Sequence, residues 1–480
     1  MPTNGTTARM AIGAVLAFVF IPGCATQSEL RQGMVKDVLD GRYTAAMARL
    51  DKLHADAAKK DLVMDLMDKG LVLHRLGSYE ESNKALDSAK QRIDELYGVS
   101  VTDELASFAW NDSASTFTGE EFEKVMVNMI MAFNYLQLGK LDDAAVESRQ
   151  INQKLQVWVD RLSRSDVKTA YKQDPFAQYL SGMIQEATGE LNDAFRSYED
   201  ALKGYDELAG ITGVPAPISL KAAVIRVARK LGHDTAMKKY AQFASLADAD
   251  PSITKGRGRL IVIASLGEVA HKKSEKWVIP DLQGDVISVT YPAFTRGQFR
   301  AAYPEIALGS WLVPAYPVHD LSTLAIKELE SKNAQVKGRA VAKALASYAL
   351  KKAARIAAKH SDNQTVQAIG ILANLALNVK DIVETADTRS WMTLPDRFSV
   401  ATAVVEPGTH VVNARFIGQS GVVDQQQFTV NVYPGETRFI VIHAREGFGA
   451  INQPAAPVEP PHPATEPVSM PVLETTGGQS

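Results

Sequence analysis

Apolar residues recur at helical spacing through the first half of the chain, and short turns that contain glycine interrupt them. The stretches MDLMDKGLVLHRL and VMVNMIMAFNYLQL place apolar residues three and four positions apart, as on one face of an amphipathic helix. The turn glycines of the series are Gly41, Gly77, Gly139 and Gly189. Glycine is typical of a helix end whose backbone enters the left-handed region. The pattern therefore predicts a succession of helical hairpins.

Small residues at fixed distances from these glycines predict close packing within each hairpin, because a small side chain lets two helices approach. They are Ser82, Ala144 and Ala194 after the turns, and Gly70 and Gly182 before them, with Tyr79 as the aromatic residue of the second turn. The arrangement resembles a tetratricopeptide-type repeat. The turn glycines are 36, 62 and 50 residues apart, so the predicted repeat domain, residues 24–250, contains inserts. An irregular helical domain is the alternative.

The pattern changes after residue 250. RLIVIASLGEV and DVISVTYPAF are typical of strands, and a helical pattern returns at Leu321, so residues 251–395 are predicted as a mixed strand and helix region. Beyond it the periodicity is close to two, which predicts a small antiparallel β-sandwich-like domain over 396–447 with hairpin turns at 406–408 and 433–435. The proline-rich residues 448–480 are predicted to be disordered. The predicted fold class is α+β, mainly α.

The N-terminus predicts export and lipidation. Ala11 to Ile21 form an apolar run too short for a hydrocarbon core of about 30 Å, as in a signal peptide. The next residues end in Gly23 and Cys24, the only cysteine, and resemble the lipobox of bacterial lipoproteins. This resemblance implies removal of residues 1–23 by cleavage between Gly23 and Cys24, and acylation of Cys24. Ala25, where aspartate would imply retention in the inner membrane, implies the periplasmic face of the outer membrane. A plain secretory signal with an incidental cysteine is the alternative.

Signatures of enzymes and metal sites are absent from the sequence. It contains no HExxH, CxxC, GxSxG or phosphate-binding loop, and its nine histidines do not have ligand spacing. We therefore expect no catalytic residues, no cofactor and no metal. The net charge of −3 gives no overall basic character for nucleic-acid binding.

One local stretch is strongly basic. Residues 331–360 contain eight Lys or Arg and no acidic residue. Such a helix can bind an anionic surface, either lipid or cell-wall polymer. The alternative, which the sequence favours, is a helix that packs on a sheet while its lysines are solvated.

Three further stretches carry a family resemblance. Residues 117–155, 174–195 and 386–398, the last reading ADTRSWMTLPDRF, resemble signature stretches of a family of uncharacterised proteobacterial lipoproteins with tetratricopeptide-like repeats. Members tend to be encoded near lipoproteins that look like activators of penicillin-binding proteins. The resemblance implies a non-enzymatic role in the cell envelope or cell wall.

The last of these stretches contains Asp387, Arg389 and Trp391 at the junction between the helical layer and the β-domain. An Asp/Arg pair beside an indole, with the guanidinium stacked on the ring, forms either an interdomain latch or a ligand pocket. The predicted function is a scaffold tethered to the outer membrane, whose concave repeat face holds a segment of an envelope protein. The alternative is a peptidoglycan- or glycan-binding module that uses Trp391, the β-domain and the basic helix.

Overall fold

Helical hairpins occupy the first half of the chain. The computed structural model describes residues 27–56, 59–103, 116–163, 173–280, 286–297, 299–359 and 386–446. The helices are α1 (Gln27–Leu39), α2 (Tyr43–Asp56), α3 (Leu62–Leu76), α4 (Tyr79–Asp103), α5 (Glu121–Gln137), α6 (Leu141–Ser163), α7 (Pro175–Thr188), α8 (Leu191–Thr212), α9 (Ile218–Leu231), α10 (Asp234–Lys239), α11 (Pro251–Thr254) and α12 (Leu321–Lys359). Each helix from α1 to α9 packs on the next, so these helices form a continuous array.

The turn glycines connect the helices of each pair. Gly77 and Gly189 end α3 and α7 with φ of 78° and 84°, a region that is cheap only for glycine. The amide of Gly77 donates to the carbonyl of His74, which satisfies one of the last carbonyls of the helix. Gly41 and Gly139 also have positive φ, 73° and 71°.

Two glycines make room for large side chains of the following helix. A Cβ at Gly70 would lie 2.4 Å from the Leu86 side chain, and one at Gly182 would lie 2.4 Å from the Tyr198 ring. Ser82 donates its hydroxyl to the carbonyl of Gly70 at 2.6 Å. Ala144 and Ala194 are fully buried between helices. The close approach of the two helices in each hairpin therefore depends on glycine, alanine or serine at these positions.

The strands form two four-stranded sheets and a separate hairpin. They are β1 (Gly258–Leu266), β2 (His271–Pro280), β3 (Val286–Thr295), β4 (Ala301–Leu308), β5 (Trp311–Val313), β6 (Ala315–Asp320), β7 (Arg397–Val405), β8 (Gly408–Gly418), β9 (Gly421–Val432) and β10 (Thr437–His443). The central sheet has the order β10-β1-β7-β6, the outer sheet has the order β5-β4-β8-β9, and β2 pairs with β3. Among the strands of the described residues, only β1 and β10 pair in parallel.

The central sheet is buried on both faces. Ile261 and Ile263 of β1 pack with the helical core, whereas Leu260, Val262 and Ala264 pack against the outer sheet. Alternate residues of a strand point to opposite faces, so both sets must be apolar. This explains the nearly continuous apolar run of β1. The molecule thus has three layers: helices, central sheet and outer sheet.

The predicted α+β fold, mainly α, is confirmed, but two predicted hairpin turns are wrong. The turns at 406–408 and 433–435 each connect strands of different sheets. Strand β7 has β1 and β6 on its two edges, so it offers no edge to β8. Strand β10 pairs instead with β1. Strands from both sides of residue 396 therefore share each sandwich sheet, and the β-sandwich extends across the predicted boundary between 251–395 and 396–447.

The central sheet covers one face of the helical array. Phe133 of α5 and Phe176 of α7 pack on Phe398 of β7, with ring centroids 6.0 and 5.2 Å apart. Tyr205 of α8 donates its hydroxyl to the carbonyl of Val318 in β6 at 2.8 Å. The side chain of Gln137 accepts from the amide of Val441 in β10 at 3.1 Å. Helices α3 to α9 and the central sheet therefore share one apolar core.

Candidate functional site

A cleft of about 690 Å³ lies between the first hairpin and the β-strands, and we call it the junction cleft. Its walls come from α1, from the residue segment 388–392, and from chain segments near the starts of β2 and β4. Its polar lining includes Arg31, Glu268, Lys272, Arg389, Ser390 and Glu446. Val35, Leu39 and Met392 supply apolar surface. The lining is therefore amphipathic and carries both signs of charge.

Arg389 joins the wall of the junction cleft to the helical array. Its guanidinium binds Asp387 through Nε and Nη2, at 2.9 and 2.6 Å, and Asp61 through Nη1 at 3.0 Å. Asp61 immediately precedes α3, so the pair spans the interface between repeats and β-strands. Arg389 therefore has the geometry of the predicted latch, and it also lines a pocket.

Trp391 does not stack on Arg389. Its side chain is fully buried in the core, and its backbone amide donates to Glu123 of α5 at 2.7 Å. Arg389 lies instead over the ring of Phe117, 5.7 Å from its centroid. The predicted stacking is therefore wrong, and because Trp391 has no exposed surface, its predicted use in glycan binding is wrong as well.

Two other cations of the cleft are held by carboxylates of the helical array. Arg31 of α1 binds Asp65 and Asp68 of α3, the latter at 2.6 Å. Lys272 at the start of β2 binds Glu120, which precedes α5. These pairs fix the charged walls in place, so a ligand would meet oriented groups.

Two carboxyls of the cleft have strongly perturbed acidities. Burial raises the pKa of Glu268 to about 7, and the charges of Glu446 and Asp396 add to the effect. Burial also raises the pKa of Glu446 to about 7, although Glu446 accepts hydrogen bonds from the amides of Arg300 and Gly267. The cleft therefore gains negative charge as the pH rises through neutrality.

One hydroxyl of the cleft lacks a partner. The Oγ atom of Ser390 is buried and has no hydrogen-bond partner among the described residues. Buried polar atoms are almost always hydrogen-bonded, so this unsatisfied hydroxyl is a local energetic cost within the wall of the cleft.

The face of the array that meets the sheet cannot hold another protein segment in this structure. Phe133, Phe176 and Tyr179 are buried at that face or beside it. The face of α5 and α7 that meets the sheet is therefore closed to a partner segment, and the predicted docking of a partner on the concave repeat face stays a prediction.

Several predictions fall outside the described residues. Gly23, Cys24 and the signal segment 1–23 precede Gln27, and the tail 448–480 follows Glu446. Within the described residues, no helix is long and apolar enough to cross a membrane, and no group of three His, Cys, Asp or Glu could hold a metal ion.

Comparisons with known proteins give low similarity. No family model matches the chain, and no curated protein matches it. A structure of MamA from AMB-1 is 15% identical, covers 47% of this chain and 93% of its own, and has a TM-score of 0.27. A Podospora anserina kinesin light chain protein with nearly identical TPR-like repeats is 10% identical, with coverages of 46% and 98% and a TM-score of 0.29. Bacillus thuringiensis PlcR, in complex with the peptide PapR7 and DNA, is 12% identical, with coverages of 45% and 69% and a TM-score of 0.26.

The sequence did not indicate most of the cleft. Arg31, Glu268 and Glu446 come from three distant parts of the chain and belong to no motif. Only the ADTRSWM stretch pointed to this place, through Asp387 and Arg389.

Proposed function

We propose that the protein is a lipoprotein of the outer membrane that acts, without enzymatic activity, as a protein–protein interaction scaffold in cell-envelope or cell-wall biogenesis. In this proposal Cys24 carries the lipid, the body faces the periplasm, and the junction cleft holds a segment of a partner protein. The resemblance of the N-terminus to a lipobox supports the anchor.

The observation that carries the docking role is the junction cleft itself. Its volume of about 690 Å³ and its oriented charged groups suit a polypeptide segment, which offers charges, carbonyls and amides together. Gln27 lines the cleft, and three residues span at most about 11 Å, so an anchor at Cys24 would hold the cleft close to the membrane.

In-cell photo-crosslinking tests the docking role. A photoreactive residue in place of Gln32, which is exposed in the cleft lining, is expected to capture a defined envelope protein. The matched control replaces Lys84, which is exposed on α4 outside the cleft, and should not capture it. The Arg389→Ala variant should weaken the capture. Equal capture from both positions, or from neither, contradicts a cleft-based scaffold.

Fractionation and labelling test the anchor separately. Metabolic labelling with palmitate is expected to mark the wild type, and Cys24→Ser should abolish the label. Ala25→Asp should move the protein to the inner-membrane fraction. A labelled Cys24→Ser variant would contradict lipidation at this residue.

A second candidate function is glycan binding by the outer sheet. The solvent face of this sheet presents Tyr303, 43% exposed, and on the same face Gln427 donates to Asn413 at 2.9 Å. Aromatic rings and amides are groups that suit sugar hydroxyls and ring faces. Co-sedimentation with purified sacculi, lost in a Tyr303→Ala/Gln427→Ala variant, would favour this function over the scaffold.

A further inference from the structure

Helix α12 continues far beyond the residues that fix it in the core. Leu321, Leu324 and Ala325 are buried with the helical array. The helix then continues to Lys359, and its 39 residues correspond to about 58 Å at 1.5 Å per residue. Most of its length therefore lies beyond the buried first turns.

All charged residues of this extension are basic. Residues 331–359 contain eight Lys or Arg and no Asp or Glu. The whole chain has 52 basic and 55 acidic residues, so the remainder of the chain is clearly acidic. This extension is thus a local region of net positive charge in a chain whose remainder is acidic.

A hairpin lies beside this helix and adds exposed apolar surface. Lys337 of α12 lies 4.9 Å from the ring centroid of Tyr291 in β3, which shows the face of the hairpin that meets the helix. Val289 shares that face, and Trp277 of β2 lies directly opposite Val289. Trp277 is 52% exposed, and Leu345 of α12 is 48% exposed. We call β2, β3 and residues 331–359 the basic arm.

We propose that the basic arm binds an anionic lipid surface. Each Lys or Arg near such a surface changes the binding constant about fivefold, so several together give substantial attraction. A half-exposed tryptophan beside them suits the headgroup region, where indole rings accumulate. Trp277 and Leu345 favour lipid over a purely hydrophilic polyanion, because only lipid also accepts apolar side chains.

The eight Lys and Arg positions of residues 331–359 span about 220° of the helix circumference at 3.6 residues per turn. Leu345 falls in the remaining sector, which carries no charged position. The helix therefore combines a broad basic face with a narrower uncharged one, which suits a position at the level of the lipid headgroups. Binding should weaken strongly with salt.

Vesicle co-sedimentation tests the proposal with residues 25–480, which lack both the apolar run of residues 11–21 and Cys24, so that neither the signal segment nor lipidation can contribute. Vesicles of equal phosphatidylglycerol and phosphatidylcholine are compared with phosphatidylcholine alone. The arm variant is K343Q/K351Q/R355Q/K359Q. The matched control, K52Q/K84Q/K203Q/K238Q, removes the same charge from exposed positions of the helical array. Circular dichroism checks that all variants fold.

Binding to the anionic vesicles is expected, with at least a tenfold loss in the arm variant, little change in the control and a partial loss in Trp277→Ala. Equal losses in the arm and control variants would overturn the proposal, as would unchanged binding of the arm variant. Binding to neutral vesicles with equal strength would also overturn it. Charge-dependent binding to purified sacculi without binding to vesicles would assign the arm to a cell-wall polymer instead and would overturn it too. Since the test chain lacks the Cys24 thiol, its outcome is independent of the proposed anchor.

Discussion

Replacing Arg226 by methionine tests a buried ionic cluster that joins the helices to the central sheet. Arg226 of α9 binds Glu186 of α7 through Nε and Nη2, at 2.8 and 2.6 Å, and Asp248 through Nη1 at 2.6 Å. Asp248 in turn accepts from Arg259 of β1 at 2.8 Å. The side chains of Arg226 and Glu186 are 7% and 4% exposed, so solvent cannot replace the lost partner.

The expected loss of unfolding free energy in Arg226→Met depends on the charges that remain buried. Removal of one partner from a buried pair costs about 3–5 kcal/mol, because the other charge stays buried. Glu186 keeps Lys230 at 3.1 Å, and Asp248 keeps Arg259, so we expect the lower end, about 3 kcal/mol. Burial alone would raise the pKa of Glu186, but Arg226 overrides it and holds that pKa well below its usual range. Without Arg226 the pKa of Glu186 should rise.

Equilibrium unfolding in urea, followed by circular dichroism, measures this loss. The matched control is Arg196→Met, because Arg196 is 75% exposed and lies 3.7 Å from Asp193. An exposed pair contributes about 0–1 kcal/mol, so the control should differ little from the wild type. In a double-mutant cycle, Glu186→Gln should cost less in the Arg226→Met background than in the wild type. If Arg226→Met lowers the free energy of unfolding by less than about 1 kcal/mol, or by no more than the control, the ionic cluster does not stabilise the contact between helices and sheet.

Three further predictions concern packing, pH and the latch. Gly182→Ala should lower the free energy of unfolding in urea by about 1–3 kcal/mol, because the added Cβ would lie 2.4 Å from the buried Tyr198 ring. The control Gly210→Ala should be neutral or stabilising, because no atom lies within 4 Å of the added Cβ. Burial raises the pKa of Glu268 to about 7, so between about pH 5 and 7 the folded state holds a proton that the unfolded state has lost, and the contribution of Glu268 to stability falls as the pH rises. Glu268→Gln should therefore reduce the slope of the unfolding free energy against pH, near pH 6, by about 1 kcal/mol per pH unit. An unchanged slope would contradict the raised pKa. Arg389→Ala removes its hydrogen bonds to Asp61 and Asp387, so thermal unfolding should show a loss of about 1.5–3 kcal/mol, whereas an unchanged melting temperature with lost partner capture would make Arg389 a pocket residue only.

The hairpins could be predicted because their determinants are local. Gly77 and Gly189 adopt the left-handed conformation that their positions suggested, and Gly70 and Gly182 face Leu86 and Tyr198 within the same hairpin. Such contacts join residues less than 20 positions apart, where periodicity and residue size carry the information.

The sheets and the cleft depend on contacts that join distant segments. Arg259 of β1 pairs in register with Thr437 of β10, and Arg389 binds Asp61 across 328 positions. Nothing in the period-two pattern of a strand specifies its neighbour, so adjacent strands were assigned to hairpins that do not form. The predicted stacking of Arg389 on Trp391 is wrong for the same reason, because the ring that Arg389 contacts belongs to Phe117, which is remote from it in sequence.

The position of the junction cleft follows from how the array is packed. Helices α3 to α9 share one core with the central sheet, whereas α1 and α2 pack around a smaller separate core that includes Met34 and Leu50. Helix α1 is tied to the remainder by polar contacts such as that of Arg31 with Asp68, and by the amide of Glu446, which donates to the carbonyl of Leu39 at 2.7 Å. A small core is typical of the less stable parts of a structure. A ligand in the cleft would contact both α1 and the β-strands, so its binding would stabilise the first hairpin against local opening. The central sheet thus covers one surface of the repeats and makes it unavailable to a partner. Because the first hairpin has a core of its own, the junction cleft is the surface where ligand binding would change the stability of that hairpin.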